Sequence, residues 1–357
     1  MNIKALLDLP YLKEDLARLE LRLRESVMPA PLGHYDDDDN LSPFFEEVTT
    51  HLIAAGGKRL RPMLALAAAT LGNTSATADD LEGAVAVELV HLGSLYHDDV
   101  MDEASARRNV ESVNARWGNL VAIVAGDYLL ARSAEIAARL GSEIAELLAI
   151  TLGHPCQGQM SEVRSTFKPT RSIEGYLNTI AYKTASLMAA SCRIGALTAK
   201  LEDQYVESLT LFGKYFGMGF QIRDDVLDIV GTEDQLGKPP GQDLAEGVYT
   251  LPVLAALADK ETGPPLRSLL GRPLNQAEVN EARALVASSP ALDAAMAMGR
   301  YYVDKASEAA AKAPTDQLGE ALDQLARSML DALPLTTSNQ YELTAHLALS
   351  EALLDYS

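Results

Sequence analysis

Cysteine is scarce in this 357-residue chain: there are two, Cys156 and Cys192, and no Cys-x-x-Cys spacing. That argues against a disulfide framework or a thiolate zinc site and makes a reducing, cytoplasmic setting the expectation. Positive charge is also short, with 30 Lys plus Arg against 50 Asp plus Glu and a formal net charge of −20. So acidic a surface repels nucleic acid and anionic membranes, and neither is an expected partner. It also repels a diphosphate, so any such ligand would need a local basic cluster or a bridging metal. Long apolar runs are missing: Met63 to Leu71 is too short to span a bilayer, and Asp8, Glu14 and Asp15 interrupt any signal-peptide stretch near the start. Sustained period-two alternation, a repeat of fixed period and a linker rich enough to divide the chain are lacking as well.

What is present is alanine, leucine and helical periodicity, with 48% hydrophobic residues supplying a sizeable core. Residues 1–28 read as an amphipathic helix carrying Leu6, Leu9, Leu12, Leu16, Leu19 and Leu23. The Pro-rich acidic stretch behind it, with Asp36 to Asp39, reads as a solvated loop without function, so residues 1–40 are set apart from the remainder, 41–357. Helices are expected at 43–55, 60–71, 79–104, 113–139, 142–165, 172–199 and 202–231. After a Gly/Pro-rich loop at 232–248, shorter ones are expected near 250–260, 275–288, 290–312, 315–333 and 338–354.

The strongest chemical signal is Asp98-Asp99-Val100-Met101-Asp102, which recurs as Asp224-Asp225-Val226-Leu227-Asp228. On a helix the first and last aspartates of each set share a face, where like charges repel unless a cation neutralises them. Each set ends an apolar helical stretch, and carboxylate oxygens together with phosphate oxygens and water are what magnesium prefers. Two such faces across a cavity suit several magnesium ions around one diphosphate. The second signal is Gly56-Gly57-Lys58-Arg59-Leu60-Arg61-Pro62, two glycines followed by three cations, the local basic island that a phosphate ligand requires in this acidic chain. Further candidates are Arg107-Arg108, Lys183-Thr184 on an apolar helix, Gln221 one turn before the second acidic set, and Lys238. A lysine among apolar residues needs an anionic partner, which makes Lys183 informative.

With these residues in place, GGKRLRP, HDDVMDEASARR, YKTASL, GFQIRDDVLDIVG and GTEDQLGKPPGQDLAEGVYTLP, in this order, resemble the conserved regions of trans-prenyl diphosphate synthases over roughly residues 40 to 350. The resemblance implies an all-α, single-domain fold of antiparallel helices around a deep cavity, and a homodimer. It implies that Lys58, Arg61, His91 and Arg108 hold isopentenyl diphosphate, and that Arg107, Lys183, Thr184, Gln221 and Lys238 hold the allylic diphosphate or face its cation. It implies magnesium on Asp98, Asp102 and Asp224, with Asp99, Asp225 and Asp228 supporting. Two positions depart from the pattern: Asn109 stands where glycine is usual, and Val248 where some members carry a second loop lysine.

The chemistry so implied is ionisation of the allylic diphosphate, attack by the isopentenyl double bond, and loss of a proton to the departing diphosphate; no dedicated protein base is evident. Ser94 and Gly93, four and five residues before Asp98, are expected to face the cavity, where small side chains leave its floor open and favour a product beyond fifteen carbons. Leu89 and Glu88 lie further down the same helix. A twenty-carbon product, as of a geranylgeranyl diphosphate synthase, is the alternative. A class I terpene cyclase has no need of the GGKRLRP loop, and a non-catalytic partner subunit would lose one acidic motif, whereas both are intact here.

Overall fold

The computed structural model describes residues 2–28, 41–236 and 239–330. Lys238, Asp36 to Asp39 and the expected helix at 338–354 lie outside the described residues. A short opening pair, α1 (Lys4–Leu7) and α2 (Leu12–Ser26), precedes α3 (Leu41–Ala54), α4 (Leu60–Thr70) and the long α5 (Ala78–Met101). A hairpin of two-residue strands, β1 (Ala106–Arg107) and β2 (Val110–Glu111), leads into α6 (Val113–Trp117), α7 (Asn119–Leu140), α8 (Ser142–Ser165) and α9 (Ile173–Ile180). After a π-helical stretch at Ala181–Ala185 come α10 (Ser186–Thr198) and α11 (Asp203–Val230). Then follow α12 (Glu233–Leu236), α13 (Gln242–Glu246), α14 (Leu251–Ala258), α15 (Gly263–Leu269), α16 (Gln276–Ala287), α17 (Ala291–Ala310) and α18 (Asp316–Arg327).

The all-α expectation holds, and the differences have local causes. The helix expected over 1–28 breaks where Pro10 removes a donor and Tyr11 turns left-handed at φ 65°. The one expected over 113–139 breaks at Gly118, with φ 89°. The span expected as a single helix at 172–199 loosens into the π-helical turn that carries Lys183 and Thr184; such insertions recur at functional sites. The hairpin went unforeseen because its strands are too short to show period two. Its turn residues, Arg108 and Asn109, both have positive φ (53° and 63°), the type I′ pattern. That explains why asparagine can replace the usual glycine at 109: among side-chain-bearing residues it tolerates this region best. Asn109→Gly is therefore expected to be neutral, whereas Asn109→Val costs about 1–2 kcal/mol, read as a lowered denaturation midpoint.

α5 is the central pillar. It starts on a capping box between Thr77 and Asp80 and is buried on nearly every face from Gly83 to Val90, packed by α2, α4, α7 and α10. α11 is the second pillar, enclosed by α10 and α17 with Phe212 and Phe216 stacked in the core. At Gly195 α10 lies so close to α4 that a Cβ would sit 2.0 Å from the Ala65 carbonyl oxygen, so no larger residue fits. In the N-terminal segment, Leu6, Leu12, Leu19 and Leu23 are wholly buried in the same core as α4 and α5. α10 packs against both pillars, and their aspartate-bearing ends, at Asp102 and Asp225, line one cavity.

Candidate active site

The six aspartates separate into two kinds. Asp99, Asp225 and Asp228 are buried, and each is tied by hydrogen bonds to a neighbouring element. Asp99 Oδ1 accepts from Arg107 Nε at 2.7 Å and Nη2 at 2.5 Å, which ties the end of α5 to the hairpin. Asp225 accepts from the Tyr176 hydroxyl at 2.5 Å and from Gln221 Nε2 at 2.9 Å. Asp228 receives the backbone N–H groups of Gln242 and Asp243, each at 3.3 Å, and so anchors the start of α13. By contrast Asp98 and Asp224 are half-buried and Asp102 is exposed, with Arg223 lying 2.8 Å from Asp224.

Burial pushes the Asp98 carboxyl up to about 6, against the pull of the Lys183 ammonium. Burial likewise pushes Asp225 up to about 7, although Tyr176 and Gln221 donate to it. Both values signal carboxylates short of positive charge. Among the described residues no three His, Cys, Asp or Glu side chains converge tightly enough to hold an ion alone. The donors present, oxygen only and including the buried, unpartnered Asp99 Oδ2, instead fit a hard divalent cation shared with phosphate oxygens and water.

Lys183 joins the two halves. Its ammonium lies 2.5 Å from Glu162 Oε1 on α8 and close enough to Asp98 to lower that carboxyl, so the anionic partner its sequence context demands is present. The Thr184 hydroxyl donates to Gln221 Oε1 at 2.7 Å, so Gln221 orients both Thr184 and Asp225. Arg107, Lys183, Thr184, Gln221, Asp102 and Asp225 all line one cavity of about 690 Å³, together with Gln242, Asp243, Glu246 and Val248. At Val248 the wall lacks the lysine that the family pattern allows there.

The second group gathers at the start of α4. Arg61 Nη1 donates to His91 Nε2 at 3.2 Å, which places the imidazole proton on Nδ1. Burial first, and then Arg61 and Arg108, hold His91 well below its ordinary value, so it is neutral. Burial also lowers Arg61 to about 10, and its Nε is buried without a partner, a donor left for an anion. Arg108 donates to the carbonyls of Leu52 (3.2 Å) and Gly56 and lies against Gly57; Lys58 is exposed. Of the three cations in the basic island, Arg59, which the resemblance left out of the ligand set, turns inward to Glu20 and Glu88.

At Gly93 the neighbouring space is filled. Gly93 is buried where α5 crosses α7: a Cβ there would lie 2.9 Å from Leu130 Cδ2 and 3.1 Å from the Gly126 carbonyl. Two facing glycines draw the helices together, and Leu130 fills the space a larger residue would take. Ser94 is half-buried, its hydroxyl donating to the His91 carbonyl at 2.8 Å. Glu88 belongs to the basic cluster and not to the cavity floor, while Leu89 is buried in the core.

Sequence reasoning missed Glu162, Tyr176 and Glu88. A signal existed for Glu88 alone, since an acid inside the apolar run from Ala84 to Val90 needs a buried cation as Lys183 needs an anion.

Residues 42–286 match the family model described as Polyprenyl synthetase. The chain belongs to that family. Among its relatives is the heptaprenyl diphosphate synthase component 2 of Geobacillus stearothermophilus, 40% identical over 86% of this chain and 91% of the relative. The nonaprenyl diphosphate synthase of Mycobacterium tuberculosis is 45% identical over 74% of this chain and 79% of the relative. A crystal structure of a polyprenyl synthase from Caulobacter crescentus, complexed with calcium and isoprenyl diphosphate, superposes with a TM-score of 0.82 at 33% identity, covering 92% of this chain and 97% of that one. Like these family members, the chain is a prenyltransferase of the isoprenoid-synthase fold, and no described helix is long and apolar enough to cross a membrane.

Proposed function

We propose that the protein is a magnesium-dependent polyprenyl diphosphate synthase that condenses isopentenyl diphosphate head-to-tail, in trans, onto an allylic diphosphate, with a product longer than fifteen carbons. The observation that carries this is the pairing of an acid-lined cavity with a separate basic cluster. Asp98, Asp102, Arg107, Lys183 and Gln221 serve one diphosphate; Lys58, Arg61, His91 and Arg108 serve a second. A terpene cyclase needs only the first of these.

Asp98, Asp102 and Asp224 would hold magnesium, with Asp99, Asp225 and Asp228 supporting them from the hairpin, Tyr176 and the α13 loop. Bound there, magnesium supplies charge neutralisation for the leaving diphosphate. Lys183 and Arg107 add fixed positive charge on the same side, so the allylic C–O bond breaks with its electron pair going to the diphosphate. The isopentenyl double bond, positioned by Lys58, Arg61 and Arg108, then attacks the allylic carbon, and the C2 proton passes to the diphosphate just released. Neutral His91 donates no charge; it orients Arg61.

The product length rests on the heptaprenyl and nonaprenyl relatives more than on Gly93 and Ser94. If the growing chain passes Gly93, it must displace Leu130. Leu130→Ala is then expected to lengthen the product by about one or two five-carbon units, read by chromatography of dephosphorylated prenols; an unchanged product places the path elsewhere.

A homodimer is supported by exposed apolar side chains on α7 and α8: Leu120 is 76% exposed, Met160 67%, Val163 61% and Val124 53%. A face of that kind invites an isologous partner. Sedimentation at several concentrations reads the state.

A second reading, one subunit of a two-component synthase, is favoured by the component 2 relatives. Incubation of the purified chain alone with magnesium, labelled isopentenyl diphosphate and farnesyl diphosphate separates the two. Incorporation that chelation abolishes supports the synthase; none from folded protein favours the two-component form.

A further inference from the structure

We propose that the N-terminal helix is a working part of the isopentenyl diphosphate site, with Glu20 as a positioning residue that acts through Arg59 on Lys58 and Arg61. The inference rests on the assignment of that basic cluster under the proposed function.

Arg59 is the residue before α4 and has left-handed backbone angles, φ 47° and ψ 39°. A side-chain-bearing residue holds that conformation, at a cost of about 1–2 kcal/mol, only where its surroundings over-determine it. The surroundings here are four hydrogen bonds. Nε and Nη2 donate to the two Glu20 oxygens at 2.5 and 3.1 Å, Nη1 to Glu88 Oε1 at 2.8 Å, and Nη2 to the Ile53 carbonyl at 2.9 Å. Half of them come from one carboxylate on α2. Relaxing Arg59 to an ordinary conformation would rotate the peptide planes on either side, and with them Lys58 and Arg61.

Charge points the same way. Glu88, 1% exposed, is the buried counter-charge to Arg59, Arg61 and Arg108. Glu20, paired with Arg59, is the second. α2 does not depend on Glu20 for docking. Asp15 binds Arg18 (2.8 Å), Ser75 (3.0 Å) and the Ala76 N–H (2.9 Å), Arg22 pairs with Glu82, and the leucine face is buried. Glu20 can therefore be changed while the helix stays in place.

The test compares Glu20→Gln and Arg22→Gln in the full chain. Glu20→Gln is expected to raise KM for isopentenyl diphosphate about tenfold, from the loss of a charged hydrogen-bond pair, with smaller changes in the allylic KM and kcat. Glu20→Asp should recover part of the loss. Arg22→Gln, which removes a different tie of the same helix, should leave all three unchanged. A direct readout that needs no catalysis is calorimetric titration of inorganic pyrophosphate under chelation, where the basic cluster alone binds. Affinity should fall about tenfold in Glu20→Gln. An unchanged isopentenyl KM and pyrophosphate affinity, equal losses in both KM values, or the same effect from Arg22→Gln would overturn the proposal. A wild type without incorporation but with a Glu20-dependent pyrophosphate affinity would instead refute the synthase assignment and leave the coupling intact.

Discussion

Asp98→Asn is expected to lower kcat by about 10³-fold while leaving KM for isopentenyl diphosphate within a few-fold. The size follows from what the side chain would do: removing one preorganised group that acts on developing charge in a water-poor site loses about 10²–10³, and a metal ligand stands at the upper end. The asymmetry follows from position. Asp98 lies near Lys183 and Arg107 and acts on Arg61 less than Glu88 does, whereas Arg61 and Arg108 have Glu88 as their buried counter-charge. Metal-free stability should not fall. Asp98 is desolvated and repelled by Asp102 and Asp99, so the neutral amide relieves the folded state. Steady-state kinetics over a magnesium series and a thermal melt check both parts. A loss below tenfold would remove Asp98 from the metal set.

The second large effect is on stability. Arg59→Met should destabilise the protein by about 3–5 kcal/mol, since it strands the carboxylates of Glu88 and Glu20 without their cation. The Arg59–Glu88 pair is buried on both sides, with side chains 5% and 2% exposed, so water cannot replace the lost partner. The exposed Arg272–Glu278 pair is the comparison: Arg272→Gln should change stability by about 0–1 kcal/mol. Denaturant melts of both variants read the difference, and similar values for the two would contradict the account.

Much of the fold was legible because apolar period survives tertiary packing where helices are long, as in α5, α7, α8 and α11. The breaks at Pro10 and Gly118 were written in residues whose backbone effects are known, but an apolar pattern running across them hid the consequence. At the site, the two aspartate sets, Lys183 and the basic island could be found because each violates its surroundings in charge. What could not be found was direction. Lys58, Arg59 and Arg61 look alike in residue type; the resemblance left Arg59 out of the ligand set, but that it turns inward on a left-handed backbone shows only in the structure. Gly93 looked like open space because a sequence shows the missing side chain but not Leu130 moving in to fill it. Glu162 lies in an unremarkable polar stretch, and its role appears only once α8 lies beside Lys183.

The measurement that bears most directly on the central claim is the size of the product. The purified chain, with magnesium, farnesyl diphosphate and excess labelled isopentenyl diphosphate, is expected to give a prenyl series that ends beyond twenty carbons and disappears with a chelator. Folded protein that incorporates no label with any allylic primer would contradict the account.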